Sequence, residues 1–137
     1  MENIITKLMQ YAYDHGITCV LSSDLSNYTP SSSRPDNRIV LINMNWHDQK
    51  EIPFQFAHEL GHVMNEDEGI LYYSSFSNKS KYERGANMTA LDILIPIYLS
   101  ATGYTVDNVF PFMKQFSIPA SLSDDVIARF KKCIIKN

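Results

Sequence analysis

The feature that most restricts this chain is His58-Glu59-Leu60-Gly61-His62, an H-E-x-x-H pattern. It carries chemistry only on a helix. There, residues four apart sit one above the other, because four steps of about 100° overshoot a full turn by about 40°. Two imidazoles on one face can bind one Zn²⁺, and the Glu between them can act as base on water at that ion. The flanking residues supply the helix. Ile52, Phe56, Leu60, Val63 and Met64 recur at helical spacing, Pro53 suits a first turn, and Asn65-Glu66-Asp67-Glu68-Gly69 closes it.

The rest of the chain is ordinary in bulk. Its 137 residues suit a single domain, 1–137, with one core. The net charge of −3 and the absence of any Lys/Arg-rich run argue against direct nucleic-acid binding. A rival DNA-binding reading rests on Lys114, Arg129, Lys131, Lys132 and Lys136 near the C-terminus; a solvated helix end accounts for them better. Cys19 and Cys133 lie in separate apolar stretches and read as buried thiols. The N-terminus lacks a signal-peptide pattern, and no apolar run reaches the roughly 18 residues of a membrane span. A cytosolic protein without membrane contact is expected.

Residues 3–15 read as a helix with Gly16 as its stop, and Ile17 to Leu21 as a strand. The Ser-, Asn- and Pro-rich stretch 22–37 reads as a surface loop. Arg38-Ile39-Val40-Leu41-Ile42-Asn43 is the clearest strand, and Asn43 to Asp48 a turn holding Trp46 and His47. A helix over about 81–94 starts at a Ser80 cap and stops before Pro96. Two more helices are expected at about 108–116, with Pro111 in the first turn, and 124–134, capped by Ser123.

A catalytic zinc site takes three protein ligands and leaves one position for water. No His follows His62, and a carboxylate is the natural third ligand: Glu66, Asp67, Glu68, Glu83 or Asp92. The first three form an acidic helix end, and Asp92 falls off the inward face of its helix. Glu83 heads a stripe with Asn87, Ala90 and Leu94, where a carboxylate needs a partner. The same Glu83 completes Ser80-Lys81-Tyr82-Glu83, a capping box in which it would reach back to the Ser80 amide. The residues alone leave both roles open.

Phe54-Gln55-Phe56-Ala57-His58-Glu59-Leu60-Gly61-His62, then Glu83-Arg84-Gly85-Ala86-Asn87, then Leu94-Ile95-Pro96, resembles the ImmA/IrrE metallopeptidases. Their pattern is F-x-x-A-H-E-x-G-H, E-x-x-A-N and a Leu-rich stretch ending in Pro. The strand Arg38–Asn43 and the stretch 109–130 resemble the family as well. The resemblance implies a minimal zincin-like α+β fold, with a small, mostly antiparallel sheet packed against helices and a C-terminal helical pair. It implies one Zn²⁺ on His58, His62 and Glu83, with Glu59 as the catalytic base and acid, and Asn87 hydrogen-bonded to a ligand. Candidate donors to the reaction's oxyanion are Tyr72, Tyr73, Tyr82 and His47. Substrate is expected to pair as an extra strand with Arg38–Asn43, read as a sheet edge. The implied function is an endopeptidase of the bacterial host cytosol that cleaves a helix-turn-helix repressor of a phage or mobile element. The alternative is an antirepressor that binds the repressor through the same fold without cleaving it.

Overall fold

The computed structural model describes residues 2–66, 76–102 and 108–136. Helix α1, Glu2–Asp14, buries Ile4, Ile5, Leu8 and Ala12, whereas Met9, which the sequence spacing places with them, is exposed. Gly16 then turns the chain at φ +68, a left-handed backbone that favours glycine. Three strands follow: β1 (Thr18–Ser22), β2 (Ser32–Arg34) and β3 (Ile39–Asn43). The helices after them are α2 (Ile52–Met64), α3 (Phe76–Thr102), α4 (Phe110–Gln115) and α5 (Ser123–Lys136). The α+β class is as expected.

The sheet order is β1-β3-β2. Strand β1 runs parallel to β3, with Thr18 opposite Ile39, and β2 runs antiparallel, with Ser33 opposite Val40. The sheet is therefore mixed. Strand β3 lies in its middle, so the expectation that Arg38–Asn43 forms an edge is wrong. The reason is hydropathy: a continuous apolar run gains most where neighbours cover it, and Val40 and Ile42 are fully buried. The polar Ser32-Ser33-Arg34 takes the edge instead, inside the stretch read as loop, and a 3₁₀ turn at Pro35–Asn37 returns the chain.

Asn43, at the end of β3, is fully buried and organises the loop before β2. Its Nδ2 donates to the carbonyls of Ser26 and Thr29 at 2.8 Å each, and its Oδ1 accepts from the Asn45 amide at 2.9 Å. Its own backbone N–H donates to Ser31 Oγ at 2.9 Å. A buried amide left unpaired would cost about 1–3 kcal/mol, so these partners fix where residues 26–31 lie.

Helix α2 starts where Asp48 caps a 3₁₀ turn at Gln49–Glu51 by accepting from the Lys50 amide. It buries Ile52, Phe56, Ala57, Leu60 and Val63. Helix α3 packs along it, presenting Ala86, Ala90, Leu91, Leu94 and Ile95. The two approach so closely that a Cβ on Gly61 would stand 2.7 Å from the Ala86 carbonyl oxygen. Helix α3 also overruns the sequence expectation at both ends. Pro96 is inside it and exposed on its outer face, removing one N–H without breaking the rod.

The C-terminal helices close the core with aromatics. Tyr98 of α3 meets Phe112 edge-on at 5.1 Å between ring centroids, and Phe112 meets Phe130 at 5.1 Å. Pro111 falls in the first turn of α4, as expected. Ser123 opens α5 but does not cap it: its hydroxyl donates to the Ala120 carbonyl. Arg84 donates twice to Asp125 at 2.9 and 3.3 Å, fastening α5 to α3 by a surface pair worth under about 1 kcal/mol. Cys19 and Cys133 are half-buried free thiols. Among the described residues, no helix is long and apolar enough to cross a membrane.

Candidate metal centre

Helix α2 places His58 and His62 one turn apart on the side facing α3. Their rings meet edge-on at 4.8 Å between centroids. His62 is 4 % exposed at its side chain, so it is not casually solvated. Helix α3 brings Glu83 against both. Its Oε2 lies 2.8 Å from His58 Nε2, and its Oε1 lies 3.2 Å from His62 Nε2.

The capping-box alternative is overturned by the length of α3. Ser80 lies inside the helix, which begins at Phe76, so Ser80 is not its cap. The Glu83 carboxylate is turned toward α2. The other carboxylates are elsewhere or outside the described residues. Asp92 pairs with Arg129 at 3.0 Å. Glu66 follows the end of α2 at φ +55. Asp67 and Glu68 are not among the described residues.

His58 Nδ1 lies 2.7 Å from Asn87 Oδ1, one turn beyond Glu83 on α3. The amide oxygen can only accept, so Nδ1 carries the proton and Nε2 of the neutral ring presents a lone pair. That lone pair faces a carboxylate that also has only lone pairs. One ligand atom each from His58, His62 and Glu83 lies within 4.8 Å of the others. Acceptors gathered this closely repel unless a cation sits among them, either a metal ion or a proton on an imidazole. Two imidazoles and a carboxylate are a donor set suited to Zn²⁺. The residues therefore fit the ion that the motif implies. Where protons on the imidazoles rather than a metal ion fill that gap, hydrogen bonds from His58 and then His62 hold the Glu83 carboxyl well below the usual carboxylate range, against the opposing effect of burial.

Glu59, the next residue along α2, lines the same cavity as His58. Burial pushes its carboxyl up from the ordinary value; His58, a hydrogen bond from Ser33 and His62 pull it back. Ser33 belongs to β2, so the edge strand reaches the carboxyl next to the metal-binding group. Nothing in the Ser-rich stretch 31–33 marks this serine out, because the contact depends on β2 pairing with β3.

The remaining candidates divide. His47 stacks on Tyr28 at 4.4 Å, and its Nδ1 lies 3.1 Å from the Asn27 carbonyl oxygen, so the turn engages it. Tyr82 precedes Glu83 on α3 and projects about 100° away from it around the helix axis. Tyr72 and Tyr73 lie outside the described residues.

Among family models, residues 12–97 match Peptidase_M78, the IrrE N-terminal-like domain. The chain belongs to this family. No curated protein and no solved structure matches it. The Peptidase_M78 match takes in β1 through most of α3, and with them every residue of the candidate centre. M78 peptidases are metal-dependent, in keeping with the His58-His62-Glu83 group.

Proposed function

We propose that this protein is a zinc-dependent endopeptidase that cuts an extended segment of a partner protein. The observation that carries this reading is the convergence of Glu83 on His58 and His62, with Glu59 between them in sequence, in a Peptidase_M78 chain. His58, His62 and Glu83 would hold Zn²⁺, which would supply Lewis-acid chemistry, making water a nucleophile near neutral pH and polarising a carbonyl. Glu59 accepts the proton that this water loses and delivers it to the departing amine. Its raised proton affinity suits both halves of that transfer. Asn87 holds the His58 ring in one tautomer and orientation. Among the described residues the outer edge of β2 has no strand partner, so it offers backbone groups to an extended peptide, and Ser33 ties that edge to Glu59.

The substrate we favour is a helix-turn-helix repressor of a phage or mobile element, the class implied by the family resemblance. The test is incubation of the zinc-loaded protein with such a repressor, analysed by intact-mass spectrometry. The expected result is two complementary fragments from the wild type and none from Glu59→Gln. Relief of repression by Glu59→Gln equal to that by the wild type would replace cleavage with the binding-only antirepressor reading.

A further inference from the structure

We propose that the cavity beside Glu59 receives the substrate side chain next to the scissile bond, and that it selects a bulky, uncharged aromatic or aliphatic group. This rests on the peptidase reading for the position of the bond. The cavity measures about 320 Å³ and has His58 and Glu59 at one end. Pro30 and Ser31, Trp46, Phe54 and the chain of Gln55 form its wall, which is mostly carbon. For scale, an apolar cavity of about 150 Å³ holds a benzene ring.

Its location suits the role. Pro30 and Ser31 immediately precede β2, so a peptide laid along that edge passes the cavity as it reaches Glu59. Side chains of an extended peptide alternate in direction, which lets one of them enter while its neighbours stay out. The wall is also fixed in place. Asn43 anchors the Ser26–Ser31 loop through the bonds described above. Trp46 Nε1 donates to Glu51 Oε1 at 2.9 Å, and Gln55 Nε2 donates to the same oxygen at 3.3 Å.

The polar groups decide the charge that is accepted. Gln55 spends its amide N–H on Glu51, which leaves its buried Oε1 without a hydrogen-bond partner among the described residues. Glu59 supplies the carboxylate among the cavity's lining residues, and no Lys or Arg lines it. An Asp or Glu side chain would lose water and face negative charge. A Lys side chain would lose water along a wall that is mostly carbon. A small side chain would leave the apolar wall uncovered.

Trp46 is the chain's only tryptophan, so its fluorescence reports occupancy. The experiment titrates metal-free wild-type protein, which retains Glu59, with pentapeptides that differ only at the central residue: Phe, Leu, Ala, Lys or Asp. Phe and Leu peptides are expected to perturb Trp46 emission and bind at least about tenfold more tightly than the Ala peptide. The Asp peptide is expected to bind weakest. Phe54→Ala should bring the Phe peptide to within about threefold of the Ala peptide. Equal affinity across the series, or tightest binding of Lys or Asp, would overturn the assignment. Hydrolysis of the same peptides by zinc-loaded wild type is scored separately. Selective Phe binding without any hydrolysis would uphold the cavity as a side-chain site and overturn the peptidase reading instead.

Discussion

Replacing Gly61 by Ala tests whether the spacing of α2 and α3 builds the centre. The new Cβ would stand 2.7 Å from the Ala86 carbonyl oxygen and 3.2 Å from Ala86 Cα. Both are backbone atoms, so no side-chain rotation relieves the clash. Ordinary contact begins near 3.4 Å, so the helices must part by 3.4 − 2.7, about 0.7 Å, at this point. Metal–ligand distances tolerate about 0.2 Å. Ala86 is three residues from Glu83, so most of this displacement reaches the carboxylate.

The stability effect combines two opposing terms. Overpacking costs about 3 kcal/mol at the upper end of its usual range, and Ala is better than Gly in a helix by about 1 kcal/mol. The net loss is about 2 kcal/mol. For a chain of this length, unfolding entropy is about 0.3 kcal/mol per degree, so Tm falls by about 7 °C. Gly85→Ala is the control. It lies on helix α3, where, among the described residues, its Cβ would meet only Asn65 Nδ2, at an ordinary 3.7 Å. It should gain about 1 kcal/mol and about 3 °C. Thermal melts of the two metal-free variants, with zinc affinity measured by chelator competition, read both effects. A Gly61→Ala protein as stable as Gly85→Ala, with wild-type zinc affinity, would show that the close approach does not set the site.

Two further perturbations address the side chains. Asn87→Ala should keep the helix and lower zinc affinity about 10- to 100-fold, because His58 loses the partner that orients it; unchanged affinity in chelator competition would remove Asn87 from the centre. Glu59→Gln should stabilise the metal-free protein at neutral pH as well as abolish hydrolysis. The Glu59 carboxyl is raised in the folded chain, so its contribution is fully present below the unfolded value of 4.5 and is lost as pH rises through the folded value. Gln escapes that loss. Its advantage in Tm should be clear at pH 7 and small at pH 4, and a variant less stable than wild type at pH 7 would contradict the burial of this carboxyl.

What could be read from the sequence follows the range of the forces involved. Helix α2 was legible because periodicity, Pro53 and the motif all lie within one short segment. The role of Glu83 was not decidable locally, since Ser80 and Glu83 satisfy a capping pattern whether or not a helix begins there. Only the extension of α3 back to Phe76, held against α2, chooses between them. Strand β2 escaped notice because Ser32-Ser33-Arg34 has no strand composition; its partner β3 makes it a strand. The same pairing displaces Arg38–Asn43 from the edge and brings Ser33 to Glu59. Pro96 misled for the opposite reason: packing on Leu94, Ile95 and Tyr98 outweighs the lost hydrogen bond.

The shortness of β2 bears on solubility. An unpaired strand edge is a template for growth by further strands, in aggregates as much as in complexes. Here the edge spans only Ser32–Arg34, carries a charged residue and is bracketed by Pro30 and Pro35, neither of which has an N–H to donate. Such an edge can hold one extended segment through a few bonds and release it. It cannot extend into a long ladder, so a surface left open to peptides is protected from polymerising with its own kind.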